Sequence, residues 1–164
     1  MANQGDLERL QPSLLDRLTD DNPSEVKESA RERVIDMRRL KEIVMRDLGW
    51  LLNTVNQDLA IPADTYPYAA KSTLNYGITD VSGKRAVEAR PYELERMLHA
   101  AIEAFEPRII KGSLQVDLSA GDIGAASRIV FNINADLWAE PVPMEVYLRT
   151  ELDVASGNMV VNKA

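Results

Sequence analysis

The sequence predicts an α+β fold, in which a long helix and a second helix pack on one face of a three- to four-stranded antiparallel sheet. Two observations lead to this prediction. Apolar residues recur at helical spacing in two segments of the chain, and they alternate with polar residues in its last third. The connections between the alternating segments are short, which favours antiparallel strands with one face in water. The helices must then cover the other face.

The composition is that of one ordinary domain of 164 residues, with 45% hydrophobic residues and a formal net charge of −7. This acidic charge argues against binding to nucleic acid or to an anionic membrane surface. The absence of cysteine excludes disulfides and thiolate metal sites, and His99 is the only histidine. No apolar run approaches the ~20 residues of a membrane span. We therefore expect an intracellular, soluble, non-redox protein with no cofactor, no metal ion and no membrane insertion.

Residues 1–28 are predicted to form a polar arm, and residues 29–164 a single α+β domain. Within the arm, Leu14, Leu15 and Leu18 form one apolar group at helical spacing. Two interpretations are open for this segment. It is either a frayed terminus or a short docking helix that binds a partner.

A long helix is predicted from Ala30 to Leu59, since Ser29 and Glu32 fit a capping box and no proline interrupts the segment. One stripe of this helix is apolar and is expected to face the core. The stripe contains Met37, Leu40, Val44, Leu48, Leu51 and Val55, with Val34, Leu52 and Leu59 at its edge.

A second row on the same helix lies on the side expected to face water. It consists of Arg39, Ile43, Arg46 and Trp50. Either another element of this chain covers Ile43 and Trp50, or the row contacts a partner, for which tryptophan and arginine are favoured anchors.

Residues 60–90 contain several prolines, glycines and tyrosines and predict a long ordered loop or a weak hairpin. Pro91 is well placed to begin the second helix, which should end near Phe105. His99 falls on the charged face of that helix and is expected to be exposed.

Three alternating segments and a short fourth predict the strands. Their expected buried residues are Leu114, Val116 and Leu118, then Ile129, Phe131, Ile133, Ala135 and Leu137, then Val146, Leu148, Thr150, Leu152 and Val154. Ser156-Gly157-Asn158 predicts a tight turn into a last strand over residues 159–161.

Glu106-Pro107-Arg108 is the most informative tripeptide. Proline disfavours helix at the residue before it, so the second helix should stop here. Residues two apart in an extended segment share a face, so Arg108 should neutralise Glu106, which is wrong for a general acid. No other pattern typical of a nucleophile, a phosphate loop or a metal site is present, and no catalytic or metal-binding residue is predicted. The tripeptide is either a helix stop with a local ion pair or a rigid charged knuckle presented to a protein partner.

Four segments, in order, resemble motifs of the baseplate wedge family. This family includes the TssE subunit of bacterial type VI secretion systems and the small wedge protein of contractile phage tails. The four segments resemble the motifs of TssE in particular. The segments are Ser-Leu-Leu-Asp-Arg-Leu-Thr-Asp at 13–20, Val-Met-Arg-Asp-Leu-Gly-Trp-Leu-Leu-Asn-Thr at 44–54, Ser-Thr-Leu-Asn-Tyr-Gly-Ile at 72–78 with Asp80, and the helix ending in Phe-Glu-Pro-Arg at 101–109.

The resemblance implies a structural role in the cytoplasm, in a baseplate docked at the inner membrane. The residues do not support the label "lysozyme-like" sometimes given to this family. The implied partners are the wedge proteins TssF and TssG, with TssK nearby, and the sheath proteins TssB and TssC. The Glu-Pro-Arg loop is implied to contact the wedge core, and an edge of the sheet is implied to receive a sheath strand. The candidate partner-binding residues are Glu106, Pro107, Arg108, Trp50, Ile43, Arg46, Leu14, Leu15 and Leu18.

Further expectations follow from this interpretation. Arg108→Ala should abolish wedge association and leave the fold intact, and the edge that receives a sheath strand should be the third or the last strand. The alternatives are a phage-tail-type wedge protein, a regulatory binding module and, less favoured, a peptidoglycan hydrolase that uses Glu106 with a second carboxylate.

Overall fold

A computed structural model of the chain describes residues 13–19, 37–81, 91–119, 128–138 and 143–163, and it confirms the α+β class. The helices are α1 (Leu14–Leu18), α2 (Met37–Leu52), α3 (Pro67–Ala70), a short 3₁₀ helix (Thr73–Asn75) and α4 (Pro91–Phe105). The strands are β1 (Gln115–Leu118), β2 (Arg128–Leu137), β3 (Met144–Asp153) and β4 (Met159–Lys163). Within the described ranges, no helix is both long enough and apolar enough to cross a membrane.

The four strands form one antiparallel sheet in the order β1-β2-β3-β4. The strict alternation of buried and exposed residues in β3 matches the period of the sequence pattern. β3 lies in the interior of the sheet and pairs on both sides, so it is not the edge, and of the two strands that the sequence offers as an edge only β4 is one. The two edges of the described sheet are β1 and β4.

The core lies between the sheet and helices α2 and α4. Its largest fully buried side chains come from both layers, which confirms that the helices cover one face. They include Leu48, Leu51, Leu52, Leu98, Ile102, Phe131, Ile133, Leu137 and Leu152.

Helix α2 ends earlier than the apolar period predicts. It stops at Leu52, and Val55 and Leu59, expected in or beside the core stripe, are 58% and 88% exposed. The chain leaves the helix axis because Val55 forms a parallel bridge with Ile78, where the Ile78 N–H donates to Thr54 O at 2.8 Å. Residues 30–36, which the prediction includes in this helix, lie outside the described residues.

The segment after α2 is an ordered loop, as predicted, and it contains α3 and the 3₁₀ helix instead of a hairpin. The buried side chain of Asn75 fixes it, accepting from the Gln57 N–H at 2.9 Å and donating to Asp58 Oδ1 at 2.8 Å. Gly77 has a φ of 120°, and a Cβ there would lie 2.3 Å from Thr54 O. Only glycine therefore permits the close approach that forms the bridge at Ile78.

Candidate partner-binding site

A groove of about 490 Å³ lies between α2, the turn after α4 and the segment that carries α1. Its walls are mostly apolar, and its polar groups come from Ser13, Asp47, Tyr76, Glu106 and Arg108. Six of the nine residues predicted to bind a partner line it, namely Leu15, Ile43, Trp50, Glu106, Pro107 and Arg108. The tertiary structure thus gathers residues from all four motifs around one groove.

The second row of α2 divides between core and surface. Ile43 is only 2% exposed, so another part of this chain covers it and it offers no surface to a partner. Trp50 is 50% exposed, which leaves half of its side chain available. Ile43 is therefore covered by its own chain, as the first alternative predicts. Of the two residues, only Trp50 remains a candidate for contact with a partner.

Arg108 is the centre of the polar wall. Its Nε donates to Glu106 Oε1 at 2.6 Å, and its Nη2 donates to both Glu106 Oε2 and Asp47, the latter at 2.7 Å. Glu106 is 4% exposed, so its carboxylate is buried and depends on this arginine for its charge partner. Arg108 therefore supports the fold itself, which changes the expectation that its removal leaves the fold intact.

The ion pairs continue from Asp47 to the N-terminal segment. Arg46 donates to Asp47 Oδ1 from Nε at 3.0 Å and from Nη2 at 2.8 Å. It also holds Asp16 on α1, with Nη1 donating to Oδ1 at 2.6 Å and Nη2 to Oδ2 at 3.3 Å. Five charged side chains thus form one continuous network from α1 through α2 to the turn after α4, which we call the ionic chain: Asp16, Arg46, Asp47, Arg108 and Glu106.

The charges of this network are reinforced by their neighbours. The hydrogen bond from Arg46 lowers the pKa of Asp16, although burial opposes the shift. Burial tends to lower the pKa of Arg108, and its bonds to Glu106 and Asp47 outweigh that effect and raise it. The pKa of Tyr76 is raised by burial and further by Asp47 and Glu106, so its hydroxyl stays neutral. Asp16 and Arg108 are therefore charged at neutral pH.

The turn after α4 is held from both sides. The helix ends at Phe105, which confirms the predicted stop before Pro107, and the Glu106 N–H still donates to Ile102 O at 2.9 Å. Arg108 O then accepts from the Trp138 N–H at 2.8 Å, and Ile109 forms a bridge with Leu137 at the end of β2. The local ion pair of the first interpretation is therefore present, and Pro107 is exposed at the surface, whereas contact of this turn with a partner stays a prediction.

Helix α1 is attached through its polar side. Asp16 contacts Arg46, whereas Leu14, Leu15 and Leu18 are 72%, 48% and 76% exposed. Ser13 forms the N-cap and accepts from the Asp16 N–H at 3.4 Å. Leu15 lines the groove, and Leu14 and Leu18 are left exposed, where an additional apolar surface can meet them.

Trp50 and Arg46 form the exposed rim of the site. The Arg46 guanidinium lies 4.8 Å from the centre of the Trp50 ring, a cation–π contact worth about 0.5–1 kcal/mol at an exposed position. The same guanidinium contacts Asp16 and Asp47, so the indole is held against a fixed cation. A partially exposed tryptophan kept in one orientation by such a contact loses little conformational entropy when it binds.

Sequence reasoning missed Asp47 and Tyr76 as members of this site. Asp47 is 61 residues from Arg108 in the sequence, and an ion pair over that separation leaves no local pattern. Tyr76 contacts Phe105 edge to face, with ring centroids 5.4 Å apart. The sequence pointed to Tyr76 only indirectly, because a tyrosine in a loop needs a partner to pack against.

The family model described as baseplate wedge protein gp25 matches residues 38–142 of this chain. The matched range contains α2 except its first residue, α4 and the Glu-Pro-Arg turn, and therefore most of the groove. No curated protein and no solved structure matches the chain.

Proposed function

We propose, because the chain belongs to the family of baseplate wedge protein gp25, that it is a structural component of the baseplate of a type VI secretion machine. In this proposal it joins the wedge subunits TssF and TssG, with TssK nearby, to the sheath subunits TssB and TssC, and it helps to initiate sheath assembly. The baseplate is docked at the inner membrane from the cytoplasmic side. The type VI assignment depends on the motif resemblance, and a phage-tail-type wedge protein is the alternative.

The observation that carries the wedge contact is the exposed rim of the groove. Trp50 is half exposed, Arg46 lies against it and Pro107 is exposed on the opposite side. Tryptophan and arginine beside a concave apolar surface are the residues that most often dominate a protein interface. A groove of about 490 Å³ has room for one or two side chains of a partner helix or loop.

The same geometry supports a role without catalysis. Both carboxylate oxygens of Glu106 bond to Arg108, and the residue is 4% exposed. Asp47 likewise has both oxygens in bonds to Arg46 and Arg108. Among the described residues, the two carboxylates that line the groove therefore have both oxygens paired with arginines, whereas a glycosidase needs a carboxyl group that faces the sugar.

A matched pair of tryptophan variants tests the wedge contact. Trp50 and Trp138 are 50% and 61% exposed, but only Trp50 lines the groove. We expect Trp50→Ala to weaken binding to co-purified TssF–TssG at least tenfold and Trp138→Ala to leave it unchanged, as measured by titration of the purified proteins. Equal binding by both variants and the unaltered chain would refute the site, and no binding of the unaltered chain would refute the type VI assignment.

The hydrolase alternative has its own assay. Purified protein should release no fragments from peptidoglycan sacculi. Release that is abolished in Glu106→Gln would overturn the structural role.

A further inference from the structure

Helix α1 is attached to the domain by its polar side and exposes its apolar side. Leu14 and Leu18 are four residues apart, so they lie on the same side of the helix, and they are 72% and 76% exposed. Asp16 is two residues from each of them and therefore lies on the opposite side. Its side chain is only 10% exposed, because it pairs with Arg46. This orientation is the reverse of a surface helix that packs its apolar side on its own core.

The described contacts keep α1 folded in this orientation. A helix of five residues is too short to be stable by itself in water. At its start the Ser13 side chain accepts from the Asp16 N–H at 3.4 Å, and at its end the Thr19 hydroxyl donates to Leu15 O at 2.9 Å. Two bonds from the Arg46 guanidinium to Asp16 join the helix to α2. A partner that binds α1 therefore does not have to order it first.

The apolar side of α1 continues into the groove. Leu15 lies beside Leu18, three residues along the helix, and it lines the same groove as Trp50. The Arg46 guanidinium contacts both the carboxylate of Asp16 on α1 and the Trp50 ring on α2. A partner that fills the groove against Trp50 therefore also reaches the leucines of α1.

A cation borders the exposed leucines. Arg17 follows Leu14 by three residues, so the two side chains are neighbours on the helix surface. Arg17 is exposed, and no carboxylate of the described residues forms a salt bridge with it. Arg46, in contrast, already pairs with Asp16 and Asp47. A surface complementary to α1 therefore has an apolar slot for two leucines and a carboxylate at the rim beside Arg17.

We infer that α1 is a docking helix, which inserts Leu14 and Leu18 into an apolar, acid-rimmed groove of the wedge partner. The inference rests on the proposed function, which supplies the wedge subunits TssF and TssG as that partner. The pair between Asp16 and Arg46 positions the helix, because it directs the polar side inwards and the leucines outwards. Of the two interpretations of the N-terminal segment, the capped and paired helix favours the docking helix over the frayed terminus.

Hydroxyl-radical footprinting measures the exposure of these leucines with and without the partner. In the free protein, Leu14 and Leu18 should be oxidised about as fast as Leu59, which is 88% exposed and does not line the groove. Saturation with purified TssF–TssG should slow the oxidation of Leu14 and Leu18 about fivefold, as burial in an interface does, and leave Leu59 unchanged.

Three footprinting results would overturn the inference. Protection of Leu14 and Leu18 in the dilute free protein would mean that their own chain covers them. Protection that increases with the concentration of the free protein would assign them to a second copy. A complex with TssF–TssG in which they stay exposed would overturn the docking helix and leave the proposed function standing, whereas the absence of any complex would refute the proposed function and this partner with it.

A matched pair of double variants tests the energetic role of the leucines. Leu14→Ser with Leu18→Ser should weaken binding to TssF–TssG about tenfold or more and leave the melting temperature unchanged, because both side chains are exposed in the free protein. Leu59→Ser with Leu74→Ser is the control, since these leucines are 88% and 70% exposed away from the groove, and it should bind normally. Undiminished binding by the α1 variant, or a lowered melting temperature, overturns the inference.

Charge reversal tests the acidic rim of the partner. Arg17→Glu should weaken binding to TssF–TssG about fivefold, and Arg17→Lys should retain it, because the lysine keeps the charge. Lys111→Glu is the control, since Lys111 is exposed, lies outside the groove and gives the same change of net charge. The effect of Arg17→Glu should shrink as the salt concentration rises. An equal loss in Lys111→Glu, or none in Arg17→Glu, overturns the carboxylate at the rim.

Discussion

Asp47 and Arg108 join the middle of helix α2 to the turn after helix α4, with Asp47 Oδ2 accepting from Arg108 Nη2 at 2.7 Å. The same guanidinium holds the buried carboxylate of Glu106. A residue that sequence reasoning assigns to a partner thus also connects two helices of its own chain. Changes at this position have to be interpreted through the stability of the free protein first.

Arg108→Ala is therefore expected to lower the free energy of unfolding by about 2–4 kcal/mol, because it leaves Glu106 buried without a charge partner. Arg108→Lys should recover only part of this loss, since an ammonium group cannot reproduce the fork of bonds to Glu106 and Asp47. The double variant Glu106→Gln with Arg108→Met should be closer to the original stability than Arg108→Ala. Urea denaturation of the three variants measures the differences, and an unchanged midpoint in Arg108→Ala would contradict the structural role.

Asp16→Asn is expected to release α1 from Arg46. Because the folded pKa of Asp16 lies below its usual value, the stability from this pair is present above the usual aspartate pKa and is lost as the pH falls through the folded pKa. Acidification should then have the same effect as the substitution. Hydrogen–deuterium exchange of the peptide covering residues 13–19 reports both. Glu42→Gln is the control, because Glu42 pairs with Arg38 on an exposed part of α2. If exchange in residues 13–19 rises equally in the Glu42→Gln variant, the result would argue against the Asp16 contact.

Thr150→Val is expected to stabilise the protein by about 1 kcal/mol. Thr150 is 0% exposed, and among the described residues its Oγ1 has no hydrogen-bond partner. Valine has nearly the same shape and removes the buried polar atom. Thermal unfolding checks the sign. Thr150→Ala should instead destabilise, because it leaves a cavity, and a loss in the valine variant would indicate that the hydroxyl has a role in the core.

Gly49→Ala and Gly112→Ala are expected to change stability in opposite directions. Apart from the local backbone, no heavy atom of the described residues lies within 4 Å of where a Cβ would stand at either glycine. Gly112 has a φ of 84°, whereas Gly49 lies in regular helix. Alanine at 49 should stabilise α2 by roughly 1 kcal/mol, and alanine at 112 should cost about 1–2 kcal/mol of backbone strain. Melting temperatures measure both.

Binding to TssF–TssG should be measured for the same glycine variants. A stabilised Gly49→Ala variant that binds less well would show that the bare backbone at this position contacts the wedge. Unchanged binding would leave Gly49 without a structural explanation.

The sequence was sufficient for the features that depend on neighbouring residues. The alternation of buried residues in β2 and β3, the beginning of α4 at Pro91 and the pair between Glu106 and Arg108 all have local causes. The end of α2 was not predictable, because the apolar period continues through Val55 and Leu59 although the bridge to Ile78 redirects the chain. The ionic chain was also missed as a unit. Its members lie on three elements, and only packing brings them together.

The topology of the sheet has a consequence for folding. Each strand pairs with the next in sequence, so the sheet grows through local contacts. At the β1 edge, the Glu95 carboxylate accepts a hydrogen bond from the Leu118 N–H, 23 residues away in the sequence. At the β4 edge, the side-chain amide of Asn53 bonds the main chain of Met159, 106 residues away. The loop-closure entropy of the second contact is larger by about 1.4 kcal/mol, so the contact at Met159 forms late. Until then β4 is open along its whole length, and at high concentration two incompletely folded chains can pair through it. The β4 edge is thus the point at which refolding competes with aggregation.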